Sequence, residues 1–355
     1  MKLSILDQSP VPAGFTPADA LQNTIQLARA ADRLGYERYW IAEHHAIETL
    51  ASPAPEILIA RVAAETSGIR VGSGGVLLPH YSPLKVAEVF RMLHALYPGR
   101  IDLGLGRAPG SGGLEAFALQ RDRSKRHEAS DFPEQLTELL AFLHSDFPSE
   151  HPFGRIKVSP EMPGMPEVWL LGSSDWSAEI AAQYGLPYAF AHFIGPEQTV
   201  PALAHYRSNF RPSVFLREPR AIVALGVVCA DTEAEAERLS ASTKSLIRRI
   251  RLGGERRPVP TPEEAIEELR SLGEGADPLA WDASEWPRYI VGGPEQVSRK
   301  IEGIASTLIV DELMILTVIH DHSARLHSYE LLAESFDLIG RSESNGLGVA
   351  ARQAT

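Results

Sequence analysis

The sequence predicts a single (β/α)8 barrel. Eight short, almost wholly apolar runs alternate with segments of helical period, and Pro, Gly and hydroxyl residues punctuate the joints. With 355 residues the chain is long enough for two domains, yet α/β barrels commonly exceed ~250 residues as one domain.

The strands are expected at residues 3–7, 38–43, 69–73, 100–106, 168–172, 188–192, 221–230 and 312–317. Most lack in/out polar alternation, the pattern of strands buried on both faces of a parallel sheet. Thr16-Pro17 opens the first helix, Leu21, Ile25, Ala28 and Leu34 recur at helical spacing, and Gly35 ends it. Ser82-Pro83 opens another, in which Val86, Val89, Phe90, Leu93 and Leu96 form one face before Pro98-Gly99. Eight strand-then-helix units suggest a closed barrel, although an open doubly wound sheet would carry the same pattern.

Two insertions exceed the needs of a barrel. Residues 145–166, after the fourth helix, hold five prolines, and residues 253–293, between the seventh and eighth strands, include Arg256-Arg257, Trp281 and Trp286. The second insertion shows no clear periodicity and is expected to cover the site. The barrel is assigned to residues 1–338, and the polar stretch 339–355 is expected to be a flexible tail.

A formal net charge of −12 repels phosphate backbones and anionic lipid, which argues against nucleic-acid and membrane partners. The single cysteine, Cys229, excludes an intramolecular disulfide and fits a reducing cytoplasm. The first twenty residues lack the sustained apolar core of a signal peptide. No apolar run approaches the ~18 residues of a membrane span.

In a barrel, chemistry collects where strands end. Those positions hold Asp7-Gln8-Ser9, Glu43-His44-His45, Ser73-Gly74-Gly75, Gly106-Arg107, Gly172-Ser173-Ser174, His192 and His320. Around Arg107 the glycines leave room for a flat ring, and the guanidinium can grip a phosphate with paired donors; a tight turn followed by a surface arginine would look the same. Ser173, Ser174 and Ser177 bring three hydroxyls to the start of a helix, more than one cap requires. Of His44 and His45, strand alternation sends one toward the site. His320 and His322 have the alternation of a metal pair but stand apart from other candidate ligands, so no metal site is assigned.

The ordered set Trp40-Ile41-Ala42-Glu43-His44-His45, Val71-Gly72-Ser73-Gly74-Gly75-Val76, Gly104-Leu105-Gly106-Arg107 and Leu171-Gly172-Ser173-Ser174 resembles the luciferase-like flavin monooxygenases, and especially their uncharacterised bacterial members. The resemblance implies reduced flavin mononucleotide (FMN) supplied by a separate flavin reductase. It also implies O2 adding at the flavin C4a carbon, and transfer of an oxygen atom to a small organic substrate. It implies that Arg107, Ser173, Ser174 and Ser177 hold the phosphate, that Ser73-Gly74 carries a cis peptide beneath the ring, and that His44 is catalytic. A homodimer through helices at 55–64 and 86–96 is expected as well. Luciferase has a reactive cysteine where this chain has Gly106, which speaks against light emission. A deazaflavin-dependent hydride transfer, a non-catalytic flavin-binding protein and a metal-dependent hydrolase using His320 and His322 remain the alternatives.

Overall fold

In the computed structural model, which describes residues 1–108, 113–120, 131–252, 257–271 and 286–340, the apolar runs pair in parallel until the sheet meets itself. Ten strands lie among the described residues: β1 (Lys2–Asp7), β2 (Arg38–Ile41), β3 (Arg70–Ser73), β4 (Val76–Leu77), β5 (Ile101–Gly106), β6 (Glu167–Gly172), β7 (Tyr188–Ala191), β8 (Ala221–Cys229), β9 (Tyr289–Gly292) and β10 (Glu312–Leu316). The ring runs β1-β2-β3-β5-β6-β7-β8-β10, and β10 pairs back onto β1; β4 extends the sheet beside β5, and β9 beside β8. Every residue of β8 is buried, which accounts for its lack of alternation. The barrel is closed, so the open-sheet alternative falls.

Helices cover the outside: α1 (Pro17–Leu34), α2 (Pro55–Ala64), α3 (Pro83–Leu96), α4 (Gly113–Leu119), α5 (Phe132–His144), α6 (Asp175–Tyr184), α7 (Thr199–Asn209), α8 (Glu233–Arg251), α9 (Pro262–Ser271), α10 (Pro294–Leu308) and α11 (His322–Ser335). The start of α1 is a reciprocal cap: the Thr16 hydroxyl accepts from Asp19 N–H at 3.2 Å, and the Asp19 carboxylate accepts from Thr16 N–H at 2.8 Å. Gly35, at φ 90°, ends the helix in the left-handed conformation that a side chain would resist. A Cβ there would also strike the backbone of Ile339, so the described end of the chain packs against this cap. Residues 341–355, most of the expected tail, lie outside the described residues.

The main core lies between sheet and helices, and a smaller one fills the barrel. Inside, Trp40 and Trp169 meet edge to face with centroids 5.4 Å apart. Neighbouring strands also approach closely at two glycines. A Cβ on Gly72 would collide with Asp102, and one on Gly104 with the carbonyl of Ser73. The N-terminal mouth of the barrel is closed by charge. Arg38, 5% exposed, donates to Asp102 and Glu167 at 2.8 Å and to Glu312 at 2.9 Å, and Trp40 Nε1–H donates to Asp102 at 2.9 Å. Residues at this end of a barrel serve stability, not catalysis.

Two sequence expectations are corrected. The insertion at 253–293 is partly regular: α9 packs on α8, and β9 pairs with β8. Residues 253–256 and 272–285 of the stretch assigned to a cover, including Arg256 and Trp281, lie outside the described residues. The non-proline cis peptide joins Gly74 to Gly75, one bond later than expected.

Candidate active site

A cavity of about 290 Å³ opens at the C-terminal ends of the barrel strands. Ala42, Gly74, Gly75, Gly106, Ala189 and Ala224 give it a lining of small residues, which leaves room for a planar group against the strand ends. The size and the few convergent polar groups are those of a small-molecule site.

One edge is cationic and rich in donors. Arg107 leaves β5 exposed at the rim, and its guanidinium lies 3.8 Å over the ring of Trp176, the second residue of α6. Phe132 meets that ring edge to face, with centroids 5.7 Å apart. This stack holds the Arg107 charge against the first turn of α6, whose N-cap is Ser174. Ser173 and Ser174 line the cavity at the same edge. A guanidinium, two hydroxyls and the positive end of a helix form a donor set suited to a phosphate dianion. Ser177 also reaches the cavity, but its buried hydroxyl is already engaged: it donates to the Ser174 carbonyl at 2.7 Å and pairs with the Tyr188 hydroxyl at 2.9 Å. Ser73 stands behind the cavity. Its hydroxyl donates to the Gly104 carbonyl (2.9 Å) and accepts from Gly104 N–H (3.0 Å), tying β3 to β5, so the lining at this point comes from Gly74 and Gly75.

The half-buried side chain of His44 faces the cavity, and its backbone N–H donates to the Ser52 carbonyl at 3.0 Å. Beside it the buried Glu43 carboxylate accepts from His45 Nε2 (2.6 Å), from the Tyr81 hydroxyl (2.7 Å) and from Leu77 N–H (3.0 Å). Burial and the Glu43 charge push the Tyr81 phenol up, keeping it protonated as a donor. The knot binds the loop after β2 to β4 and turns His45 away, leaving His44 as the histidine of the pair that enters.

The other histidines are placed elsewhere. His192 is fully buried between the Thr199 hydroxyl (2.7 Å) and the Pro287 carbonyl (3.0 Å), and burial lowers its pKa. His320 hydrogen-bonds the Ala13 carbonyl at 3.0 Å. Burial, then the nearby Arg325, pushes His322 down to about 4. Among the described residues no group of three His, Cys, Asp or Glu side chains could hold a metal ion. No helix among them is long and apolar enough to cross a membrane.

The sequence pattern placed Gln8 at a strand end without giving it a role and did not single out Trp176, Phe193, Ile194 or Met314, and all five line the cavity. Trp176 sits within the serine motif, and Gln8 stands at a strand end. Phe193, Ile194 and Met314 carry no motif that reasoning from residue type could have used. Phe193 and Ile194 are held by Arg288, which donates to both of their carbonyl oxygens.

The family profile described as luciferase-like monooxygenase matches residues 1–311. The N-acetyl-S-alkylcysteine monooxygenase of Bacillus subtilis is 37% identical, over 94% of this chain and 98% of its own length. The crystal structure of apo-MsnO8 superposes with a TM-score of 0.88 at 52% identity, covering 96% of this chain and 99% of that one. The oxygenating constituent of 3,6-diketocamphane monooxygenase from Pseudomonas putida, solved with FMN, has a TM-score of 0.70 at 20% identity, covering 94% of this chain and 97% of its own, and speaks for the fold alone.

Proposed function

Because the chain belongs to the luciferase-like monooxygenase family, we propose that it is the oxygenase component of a two-component system. It takes reduced FMN from a separate reductase and uses O2 to oxygenate a small organic substrate. The observation that carries this reading is the Arg107–Trp176 stack, which sets a cation at the first turn of α6 beside Ser173 and Ser174. Bound reduced FMN would supply two electrons, so that one oxygen atom enters the substrate and the other leaves as water. The protein's part is to bind, orient, exclude water and handle protons. Arg107, Ser173 and Ser174 hold the phosphate, Ser177 props the turn that presents them, and Gly74 and Gly75 leave space for the ring. His44 holds or gives up a proton at a ring nitrogen facing the cavity.

Arg107→Ala is expected to weaken FMN binding about tenfold or more while leaving riboflavin binding nearly unchanged. A charge-assisted phosphate contact contributes about 1.5–3 kcal/mol, and riboflavin has no phosphate to lose. Fluorescence titration of both ligands measures this; equal losses for the two would remove Arg107 from phosphate recognition. Oxygen consumption with reduced FMN separates the oxygenase from a deazaflavin-dependent hydride carrier.

The expected assembly is a homodimer through the outer faces of α2 and α3. Ile57 on α2 is 68% exposed, and Met92 and Leu96 on α3 are 54% and 58% exposed. The small residues Ala60 and Ala64 on α2 would let a second copy approach closely, whereas Ala63 packs into the barrel. Light scattering at micromolar concentration should give twice the chain mass, and Ile57→Arg should lower it toward one. A wild-type monomer would end the proposal.

A further inference from the structure

In the ring order, β10 and β1 lie opposite β5 and β6, so the cavity wall facing the Arg107 edge is built by Met314, Leu6 and Gln8. Ala224 on β8 continues that half of the lining, while Phe193 and Ile194 follow β7 between it and the Ser173 edge. Besides Glu43 and His44 at the end of the neighbouring β2, Gln8 is the polar residue among the described lining residues of this half, and the Glu43 carboxylate is already taken up by three donors. Its neighbour Asp7 points outward, paired with Arg325 at 2.7 Å and accepting from the Tyr39 hydroxyl at 2.5 Å, so alternation aims Gln8 inward. Ser9 then turns the chain at φ 50°, held by its N–H on Asp7 (2.8 Å) and its hydroxyl against Thr24 (2.8 Å). The half-buried Gln8 carboxamide makes no hydrogen bond within the described residues.

We infer that Gln8 is the substrate-recognition residue and that it reads a neutral carbonyl or carboxamide carried by an otherwise apolar substrate. A carboxamide offers two N–H donors and one acceptor oxygen. Facing apolar walls, it is satisfied by a group that hydrogen-bonds without charge. An ionised group would be desolvated against Met314, Leu6 and Ala224, and an anion would in addition meet the Glu43 carboxylate at the end of β2, which is far more costly than a neutral hydrogen bond is favourable. The inference deepens the proposed function and rests on the Arg107 edge being the flavin end, which leaves the opposite half for the substrate.

The test compares hexanamide with hexanoate, which share shape and apolar tail and differ in charge. Both are titrated into wild type and Gln8→Leu, read by the fluorescence of Trp40 and Trp176 at the cavity, once on FMN-loaded protein and once without FMN in phosphate buffer. Wild type should bind hexanamide at least about tenfold more tightly than hexanoate. Gln8→Leu should lose about tenfold in hexanamide affinity while binding FMN within twofold of wild type. Equal affinity for the two probes, no binding of either, or an unchanged ratio in Gln8→Leu overturns the inference and leaves the flavin reading standing. Loss of FMN affinity in Gln8→Leu overturns it too, because the residue would then hold the cofactor. Wild type that ignores FMN yet prefers hexanamide through Gln8 would sink the flavin reading and keep the role of Gln8.

Discussion

Arg38→Met should destabilise the fold by about 3–5 kcal/mol at neutral pH, the usual cost of removing one partner from a buried charge cluster. The guanidinium is 5% exposed and serves three carboxylates at once: Asp102, which is fully buried, Glu312, which is 9% exposed, and Glu167 at the edge. Methionine fills comparable space but leaves Glu312 without its arginine and Asp102 and Glu167 with only the edge cations Arg70 and Arg220, and the stacking of Arg38 over Trp169 at 4.9 Å goes with it. The exposed pair between Lys2 and Glu37 is the internal control; Lys2→Met should cost no more than about 1 kcal/mol. The deficit should depend on pH. Although burial alone would raise it, Glu167 is brought down from its ordinary 4.5 to about 2 by Arg38 and Arg220. The stability it contributes is therefore present above about pH 4.5 and is lost as pH falls toward 2. Glu312 runs the other way: burial outweighs Arg38 and raises it, so its ionisation costs stability as pH rises. Without Arg38 the cluster is short of one cation, so every carboxylate that takes up a proton relieves it, and the gap between variant and wild type should narrow below about pH 4.5. Urea unfolding across pH measures it. A loss near that of Lys2→Met would show that the cluster is solvated and that the barrel mouth is held by packing alone.

That cluster also shows where reading the sequence stops. The eight barrel strands were legible because strands buried on both faces are apolar throughout, and each expected run overlaps a ring strand. Strand β4 has two residues, too few for any period to show. Helix α9 announces itself with Thr261-Pro262, the same signal that opens α1, yet four glutamates in ten residues hide its buried stripe of Ala265 and Leu269. Arg38, Asp102, Glu167 and Glu312 are far apart in sequence and meet only once the ring has closed. In the cavity, Arg107, Ser173, Ser174, Gly74 and His44 were legible because strand ends in a barrel converge on one site. Ser73 and Ser177 show the limit of that argument. Position brings a hydroxyl near the rim, but its partner decides whether it faces a ligand, and Gly104 and Tyr188 claim these two.

The largest effect on activity is expected from His44→Ala. The side chain faces the cavity from the end of β2, and the Glu43 knot fixes the loop while occupying His45. An imidazole ordinarily titrates near ~6.5 and exchanges protons readily at neutral pH, and a positioned acid–base group contributes on the order of 10²–10⁴-fold to rate. The variant should bind FMN within a few-fold of wild type, since the phosphate end proposed for the site lies at β5 and β6. Product formation should fall at least about 100-fold. Reduced FMN should still be oxidised, so more hydrogen peroxide is released per flavin consumed. A histidine that merely supports its loop makes the opposite forecast: lower thermal stability with unchanged coupling. The hydrogen bond from residue 44 to the Ser52 carbonyl comes from the backbone and survives in alanine, which limits the structural damage the substitution can do. Product and peroxide per reduced flavin, measured beside the melting temperature, separate the two. Wild-type coupling in a destabilised variant would take His44 out of the chemistry. The search would then return to the histidines assigned structural partners here: His45 on Glu43, His192 between Thr199 and Pro287, and His320 on Ala13. Each would have to leave its partner to reach the cavity, and a pH profile of the coupling ratio, shifted by Glu43→Gln but not by His192→Asn, would single out His45.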